Sequence, residues 1–166
     1  MHIEKLCGPF LLRFHSASRL HVSKVVKTPS PARQRTLDLQ ARATRFSVGV
    51  LTACPERFTN VSSETVWGQL VRAADSTSNN LVEADDASSD DDFVYKMRLT
   101  LREAKESRQG LIKLRLGRLS AFEKVADLEQ EAGELTAIFA TIISNTLKRL
   151  AREKREARPQ GHRSKL

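Results

Sequence analysis

The feature that most constrains this chain is a set of four segments in which apolar residues recur every three or four positions. The segments cover about 36–53, 64–84 and 90–116, and a last one from Ser120 to about Glu156. This spacing places the apolar side chains on one face of an α-helix. Four one-sided helices joined by short connections can bury those faces together as an antiparallel up-down-up-down bundle. The sequence therefore predicts an all-α four-helix bundle.

Each segment has a defined apolar face that is predicted to form the core. Few aromatic residues (5%) and few Gly and Pro suit helices better than strands and turns. The predicted core residues are Leu39, Ala43, Phe46 and Val50; Trp67, Leu70, Val71, Ala74, Ser78 and Leu81; Phe93, Met97, Leu101, Ala104, Leu111 and Leu114; and Val125, Leu128, Ala132, Leu135, Phe139, Ile142 and Leu150.

Capping residues set the predicted starts of three helices. Ser63 is predicted to cap the second helix, and Ser120 the fourth. Ser88 or Ser89 is predicted to cap the third, because the three Asp of 90–92 then lie in its first turn, where the helix dipole favours negative charge.

Three residues interrupt or end the helical pattern. Pro55 is predicted to end the first helix and Gly117 the third. Gly110 lies inside the third helix, where it costs about 1 kcal/mol relative to Ala. We therefore expect a weak point in the second half of that helix.

The positive charge of the chain is concentrated at its ends. The formal net charge is +8, and residues 1–36 and 148–166 contribute +6 each, which leaves −4 for 37–147. We predict a disordered basic extension over 1–35, a bundle over 36–152 and a basic tail over 153–166. The extension also fits an organellar transit peptide or translated upstream sequence.

Several kinds of functional site are missing from the sequence. Cys7 and Cys54 have no metal or redox spacing, which favours a reducing cytoplasm, and no apolar run approaches the roughly 20 residues that span a bilayer. There is no Gly-rich phosphate loop and no Gly-x-Ser-x-Gly elbow. All four histidines lie in the predicted tails, so the bundle has no Glu-x-x-His pair of the di-iron type: His2, His15, His21 and His162. We expect a soluble, non-enzymatic, cytoplasmic protein without metal or cofactor.

Three glutamates leave one alternative open. Glu83, Glu103 and Glu106 could form a carboxylate site, since the last two lie on one helical turn. The other interpretation is that they are solvated or form ion pairs, for example between Arg102 and Glu106 at i, i+4. We expect ion pairs.

A basic stripe follows one side of the third segment. At about 100° per residue, Gln109 and four cations share this side: Arg98, Arg102, Lys105 and Lys113. Together with Lys148, Arg149 and Arg152, these cations are the predicted nucleic-acid-binding residues. The alternative is a solvated charged face. Tyr95 alone does not make a platform for base stacking.

A polar stripe runs along the second segment, opposite its apolar face. It consists of Gln69, Arg72, Ser76, Asn80 and Glu83, which fall within about 80° of one another. The stripe is either a solvated surface or the predicted oligomer interface, where short Ser and Asn side chains would let another helix approach.

The stretches "QLVRAADSTSNNLVEA" and "SSDDDFVYKMRLTLREAKES" resemble the bacterial four-helix-bundle proteins encoded in intervening sequences of 23S ribosomal RNA genes. "DLQARATRF" resembles the first helix of that family, so the resemblance covers about residues 36–150. The matching positions are Gln69, Arg72, Ser76, Asn80, Glu83, Ser89, Asp92, Phe93, Lys96, Arg102, Glu103, Ala104 and Glu106.

The resemblance implies a homopentameric four-helix bundle with a nucleic-acid role. The family is similar to the accessory variability protein of diversity-generating retroelements, a pentameric ring that binds reverse transcriptase and nucleic acid. This chain departs from the family at Ala84–Asp86, where many members have Gly and a basic residue, and at Gln109–Gly110, where members often have an aromatic pair. The acidic residues would repel phosphate at that end of the bundle.

Two hypotheses on function follow. The first is a nucleic-acid-associated homo-oligomer, with RNA or DNA bound by the third helix and the C-terminal segment. The second is a ring-shaped adaptor that recruits a partner protein such as a reverse transcriptase. We favour the first, because the basic segments provide its binding residues.

Overall fold

The computed structural model describes residues 28–120 and 122–157. Four helices account for most of them: α1 is Pro31–Ala53, α2 is Val61–Asp85, α3 is Asp90–Leu116 and α4 is Phe122–Glu156. Each helix packs against two others in cyclic order, most extensively α2 on α3 and least extensively α1 on α4. The prediction of an all-α four-helix bundle is confirmed. None of the described helices is long and apolar enough to cross a membrane.

The first helix begins five residues earlier than predicted. Ser30 is its N-cap, and the side chain of Ser30 accepts a hydrogen bond from the backbone N–H of Arg33 at 3.2 Å. Pro31 occupies the first turn, where its fixed φ suits a helix and its missing N–H costs no hydrogen bond. Residues 31–35 are therefore helical and do not belong to the predicted disordered extension.

The predicted cap of α2 is wrong. Asn60 is the N-cap, and its side-chain oxygen accepts from the backbone N–H of Ser63 at 2.8 Å. Ser63 is buried in the first turn, and its hydroxyl donates to the carbonyl of Leu119 at 3.3 Å. Ser63 thus ties the start of α2 to the connection between α3 and α4.

Both ends of α3 agree with the prediction. Ser89 caps the start by accepting from the backbone N–H of Asp92 at 3.2 Å. At the other end Gly117 is the C-cap, but the left-handed residue is Arg118, with φ of 52°. The N–H of Leu119 donates to the carbonyl of Leu114 at 2.9 Å, which completes a Schellman stop. Arg118 thus adopts a conformation that costs a non-glycine residue about 1 kcal/mol.

The predicted core residues are mostly buried. Fully buried large side chains include Trp67, Leu70, Met97, Leu111, Leu114, Val125, Leu135 and Phe139. In α4, Ile143 rather than Ile142 is the buried isoleucine, and in α3 Phe93 and Leu101 are half-buried. The drift in α4 reflects the mismatch between 3.6 residues per turn and a strict four-three pattern.

Small residues are buried in α2 and α3, the two helices that share the most extensive contact. Ala73 and Thr77 of α2, and Thr100 and Ser107 of α3, are buried. The three hydroxyls donate to carbonyls one turn earlier in their own helices, at 2.8 to 3.0 Å, so none is left unsatisfied. Gly110 faces Leu70, and a Cβ built on Gly110 would lie 3.2 Å from the Leu70 Cβ. Gly110 therefore permits the close approach of these helices.

Ion pairs join helices along the edges of the bundle. Arg42 of α1 donates from Nε and Nη2 to the two carboxylate oxygens of Glu131 in α4, both at 2.7 Å, and also contacts Glu134. These hydrogen bonds, first to Glu131 and then to Glu134, raise the pKa of Arg42 above its usual value. Since α1 and α4 share the least contact, this bidentate pair joins the two helices where the bundle is least tightly packed.

Candidate nucleic-acid interface

The outward face of α3 presents the predicted basic stripe. The side chains of Arg98, Arg102, Lys105 and Lys113 are all exposed, and Met97, Ala104 and Leu111 on the opposite face are buried. From Arg98 to Lys113 the stripe is about 22 Å long at 1.5 Å per residue. The structure thus brings the four α3 cations together on one solvent-facing line.

Ion pairing divides the cations of the stripe into two groups. Arg102 is neutralised by Glu103, with an Nη2–Oε1 distance of 2.8 Å. The predicted pairing of Arg102 with Glu106 is therefore wrong, because the guanidinium turns to its sequence neighbour. Over residues 28–120 and 122–157, Arg98, Lys105 and Lys113 form no ion pair and no side-chain hydrogen bond. These three charges are available to an anionic ligand.

The C-terminal cations lie at the acidic end of the bundle. Arg149 contacts Asp90 in the first turn of α3 and donates to Glu153 at 3.1 Å. Arg152 is 3.7 Å from Glu156. Lys148 is exposed and has no ion pair among the described side chains. Two of the three predicted C-terminal cations are thus neutralised within the monomer.

Of the three glutamates of the predicted carboxylate site, Glu83 and Glu103 form ion pairs, whereas Glu106 forms none within the described ranges. Glu83 accepts from Lys96 of α3 at 3.3 Å, and Glu103 accepts from Arg102. In the part of the chain that the structure describes, no cluster of three His, Cys, Asp or Glu residues could hold a metal ion. The arrangement at Glu83 and Glu103 is that of ordinary interhelical and surface pairs.

The groove between α3 and α4 contains two arginines that lie outside the predicted sites. It has a volume of about 650 Å³ and is lined by Arg108, Arg115, Glu129, Gly133 and Glu134, among others. The Arg108 guanidinium lies against Gly133, where a Cβ would be 3.5 Å from its Nε. Arg115 forms a bidentate pair with Glu129 at 2.7 and 3.0 Å, and this hydrogen bonding lowers the pKa of Glu129. Because cations and carboxylates balance here, the groove suits phosphate less well than the α3 stripe.

The polar stripe of α2 lies beside α3. Gln69, Arg72 and Glu83 are exposed, while Ser76 and Asn80 are half-buried. Within the described ranges Arg72 has no ion pair, whereas Glu83 is engaged by Lys96. The stripe is thus a mixed surface of small polar groups with one available cation.

A solved structure with a similar fold comes from Bacteroides thetaiotaomicron VPI-5482 and is described as a protein with unknown function from the S23 ribosomal protein family. It is 21% identical to this chain with a TM-score of 0.58, and the match covers 66% of this chain and 98% of that chain. No protein-family model matches the chain. No curated protein matches it either. The comparison therefore shows that this chain shares the bundle fold of that S23-family protein.

Proposed function

We propose that this protein is a non-enzymatic, homo-oligomeric bundle protein of the 23S rRNA intervening-sequence type that associates with RNA in the cytoplasm. The observation that carries the nucleic-acid part is the line of three unpaired cations on α3, Arg98, Lys105 and Lys113. The S23 family of the structural neighbour supports the family assignment. Binding through such a line is electrostatic, because each cation releases a counterion from the phosphate backbone.

Charge reversal on the stripe is the test of nucleic-acid binding. We expect the triple variant Arg98→Glu, Lys105→Glu and Lys113→Glu to lose binding to a structured RNA at about 50 mM salt, where nonspecific complexes form at micromolar protein. Wild-type affinity should fall steeply with salt, with a slope of about −0.7 to −0.9 per phosphate contacted. Fluorescence anisotropy against salt concentration measures both.

A matched control uses cations that the structure shows in ion pairs. Reversing Arg33, Lys96 and Arg115, which pair with Asp85, Glu83 and Glu129, also changes six units of charge, and circular dichroism checks that this variant is folded. If the control variant lost RNA binding as fully as the stripe variant, net charge rather than the α3 line would be responsible. Absence of wild-type binding would rule out the proposal.

The homo-oligomer, a pentamer by the family resemblance, is proposed to use the α2 stripe as one of its contact surfaces. We expect Asn80→Leu or Arg72→Ala to change the oligomer mass while leaving the helix content nearly intact, because both side chains lie outside the core. Light scattering measures the mass and circular dichroism the helix content. A wild-type mass of 18.6 kDa, that of one chain, would contradict the oligomer.

The alternative, an adaptor that recruits a partner enzyme such as a reverse transcriptase, draws on the mixed-charge groove between α3 and α4. Its balanced Arg and Glu side chains fit a protein surface better than a phosphate backbone. A stoichiometric protein partner that survives nuclease treatment would favour this function.

A further inference from the structure

Tyr95 stands at one end of the α3 stripe and has no role in the bundle core. Its side chain is 61% exposed, whereas the other aromatic side chains whose burial the structure describes are buried or half-buried: Phe46, Phe58, Trp67, Phe93 and Phe139. Its hydroxyl makes no hydrogen bond within the described part of the chain. An exposed aromatic ring with an unused polar tip can contact a ligand, because its apolar face and polar end both suit a partly wet interface.

Helical geometry aligns Tyr95 with the cations. At 100° per residue Tyr95 falls within about 20° of Arg102 and about 60° of Arg98. A strand that follows the stripe would therefore pass over the Tyr95 ring.

The charge around Tyr95 changes sign along the helix. One turn after it lies Arg98, and one turn before it lies Asp91, which is exposed. Asp90 is paired with Arg149, and Asp92 accepts from Ser88, whereas Asp91 makes no hydrogen bond in the described ranges. The Asp91 carboxylate repels phosphate, so the phosphate track ends near Arg98. An uncharged part of a nucleotide is then suited to the surface of Tyr95, and of the base and the sugar only the base has a flat face that can stack on the ring.

We propose that Tyr95, which alone would not form a stacking platform, stacks against an unpaired base of a strand that the α3 cations hold, and so makes the α3 stripe selective for single-stranded over double-stranded nucleic acid. This inference rests on the proposed nucleic-acid function and adds the class of ligand to it. Bases in a duplex have their faces covered by neighbouring bases, whereas an unpaired or terminal base offers a free face. Stacking on an aromatic side chain tolerates any base, so the expected preference is for strandedness rather than for sequence.

The test compares Tyr95→Ala with Tyr95→Phe on single-stranded and duplex RNA oligonucleotides of equal length and end label. We expect Tyr95→Ala to weaken single-strand binding about tenfold, in the range of one lost base stack, and to change duplex binding less than twofold. Tyr95→Phe should retain single-strand affinity, because the ring face is conserved. The salt slope of Tyr95→Ala should equal that of wild type, since Tyr95 neutralises no phosphate.

Arg98→Gln is the matched variant that acts on phosphate. It should weaken both ligands and reduce the salt slope by about one. The same measurements on single-stranded DNA of the same sequence should show the same tenfold loss for Tyr95→Ala, because stacking uses the base and not the sugar. The tighter of the two wild-type complexes identifies which nucleic acid is the ligand. Equal loss on single strand and duplex, or no loss on single strand, would overturn the role of Tyr95 while leaving the stripe in place. A wild-type protein that bound none of these oligonucleotides would overturn both proposals.

Discussion

Replacing Gly110 by leucine is expected to lower the free energy of unfolding by about 3 kcal/mol, at the upper end of the range for an overpacked core. A Cβ at this position would lie 3.2 Å from the Leu70 Cβ, 3.4 Å from its Cδ1 and 3.7 Å from its Cα. The nearest atoms belong to the stiff base of Leu70 and to the α2 backbone, so a larger side chain must push the helices apart. Since α2 and α3 share the most extensive contact of the bundle, pushing them apart weakens packing along the whole contact.

Alanine substitutions at two glycines separate packing from helix propensity. Gly68 of α2 is open, because a Cβ there would meet only the Arg72 guanidinium at 3.8 Å. Gly68→Ala should therefore raise stability by about 1 kcal/mol, the ordinary gain of Ala over Gly in a helix. At Gly110 the same gain is offset by the 3.2 Å contact, so Gly110→Ala should be close to neutral. Urea unfolding followed by circular dichroism measures all three variants, and an unchanged midpoint for Gly110→Leu would contradict the packing role.

Much of the fold was predictable, because large apolar side chains fix the phase of each helix. The start of α3 had two agreeing local signals, a serine cap and three aspartates in the first turn, and its predicted bounds are those observed. The start of α2 was predicted at Ser63, whereas the observed cap is Asn60. The Ser63 hydroxyl instead donates to Leu119, 56 residues away, and a local pattern contains no information on that contact.

The contact between α2 and α3 was not predictable from hydrophobicity. Thr77, Thr100 and Ser107 are polar by composition, yet each is buried, because its hydroxyl is satisfied by its own helix backbone. Gly110 was predicted to be a weak point, because helix propensity considers only its own helix. In the structure it lets α3 approach Leu70 of α2, and helix propensity takes no account of that neighbour.

The sequence predicted where the cations of the candidate site lie, but not which of them are neutralised by ion pairs. Helical periodicity places the four α3 cations on one exposed face. Whether each cation is free depends on rotamers and on other helices: Arg102 turns to Glu103, and Arg149 meets Asp90 across 59 residues of sequence. Helical periodicity also places Tyr95 beside these cations, but its exposure is known only from the structure. That Asp91 has no hydrogen-bond partner among the described residues, unlike Asp90 and Asp92, is likewise known only from the structure.

Replacing Trp67 by alanine is expected to cost about 4 kcal/mol of unfolding free energy, within the range for removing a buried aromatic side chain. Trp67 is 0% exposed and belongs to the central apolar cluster together with Val50 and Leu114. A cavity of this size in a one-domain bundle threatens the folded state itself, since total stabilities are about 5–15 kcal/mol. Urea unfolding should show a much lower midpoint for Trp67→Ala.

Trp67→Phe is the informative control, because the indole Nε1 is buried and has no hydrogen-bond partner among the described residues. An unsatisfied buried donor costs about 1–3 kcal/mol, so removing it offsets part of the lost apolar contact. We therefore expect Trp67→Phe to cost less than about 1.5 kcal/mol, well below the alanine variant. Circular dichroism has to follow the unfolding, since both variants remove the only tryptophan. A loss for Trp67→Phe as large as that for Trp67→Ala would contradict the unsatisfied N–H, because the phenyl ring keeps most of the apolar contact of the indole.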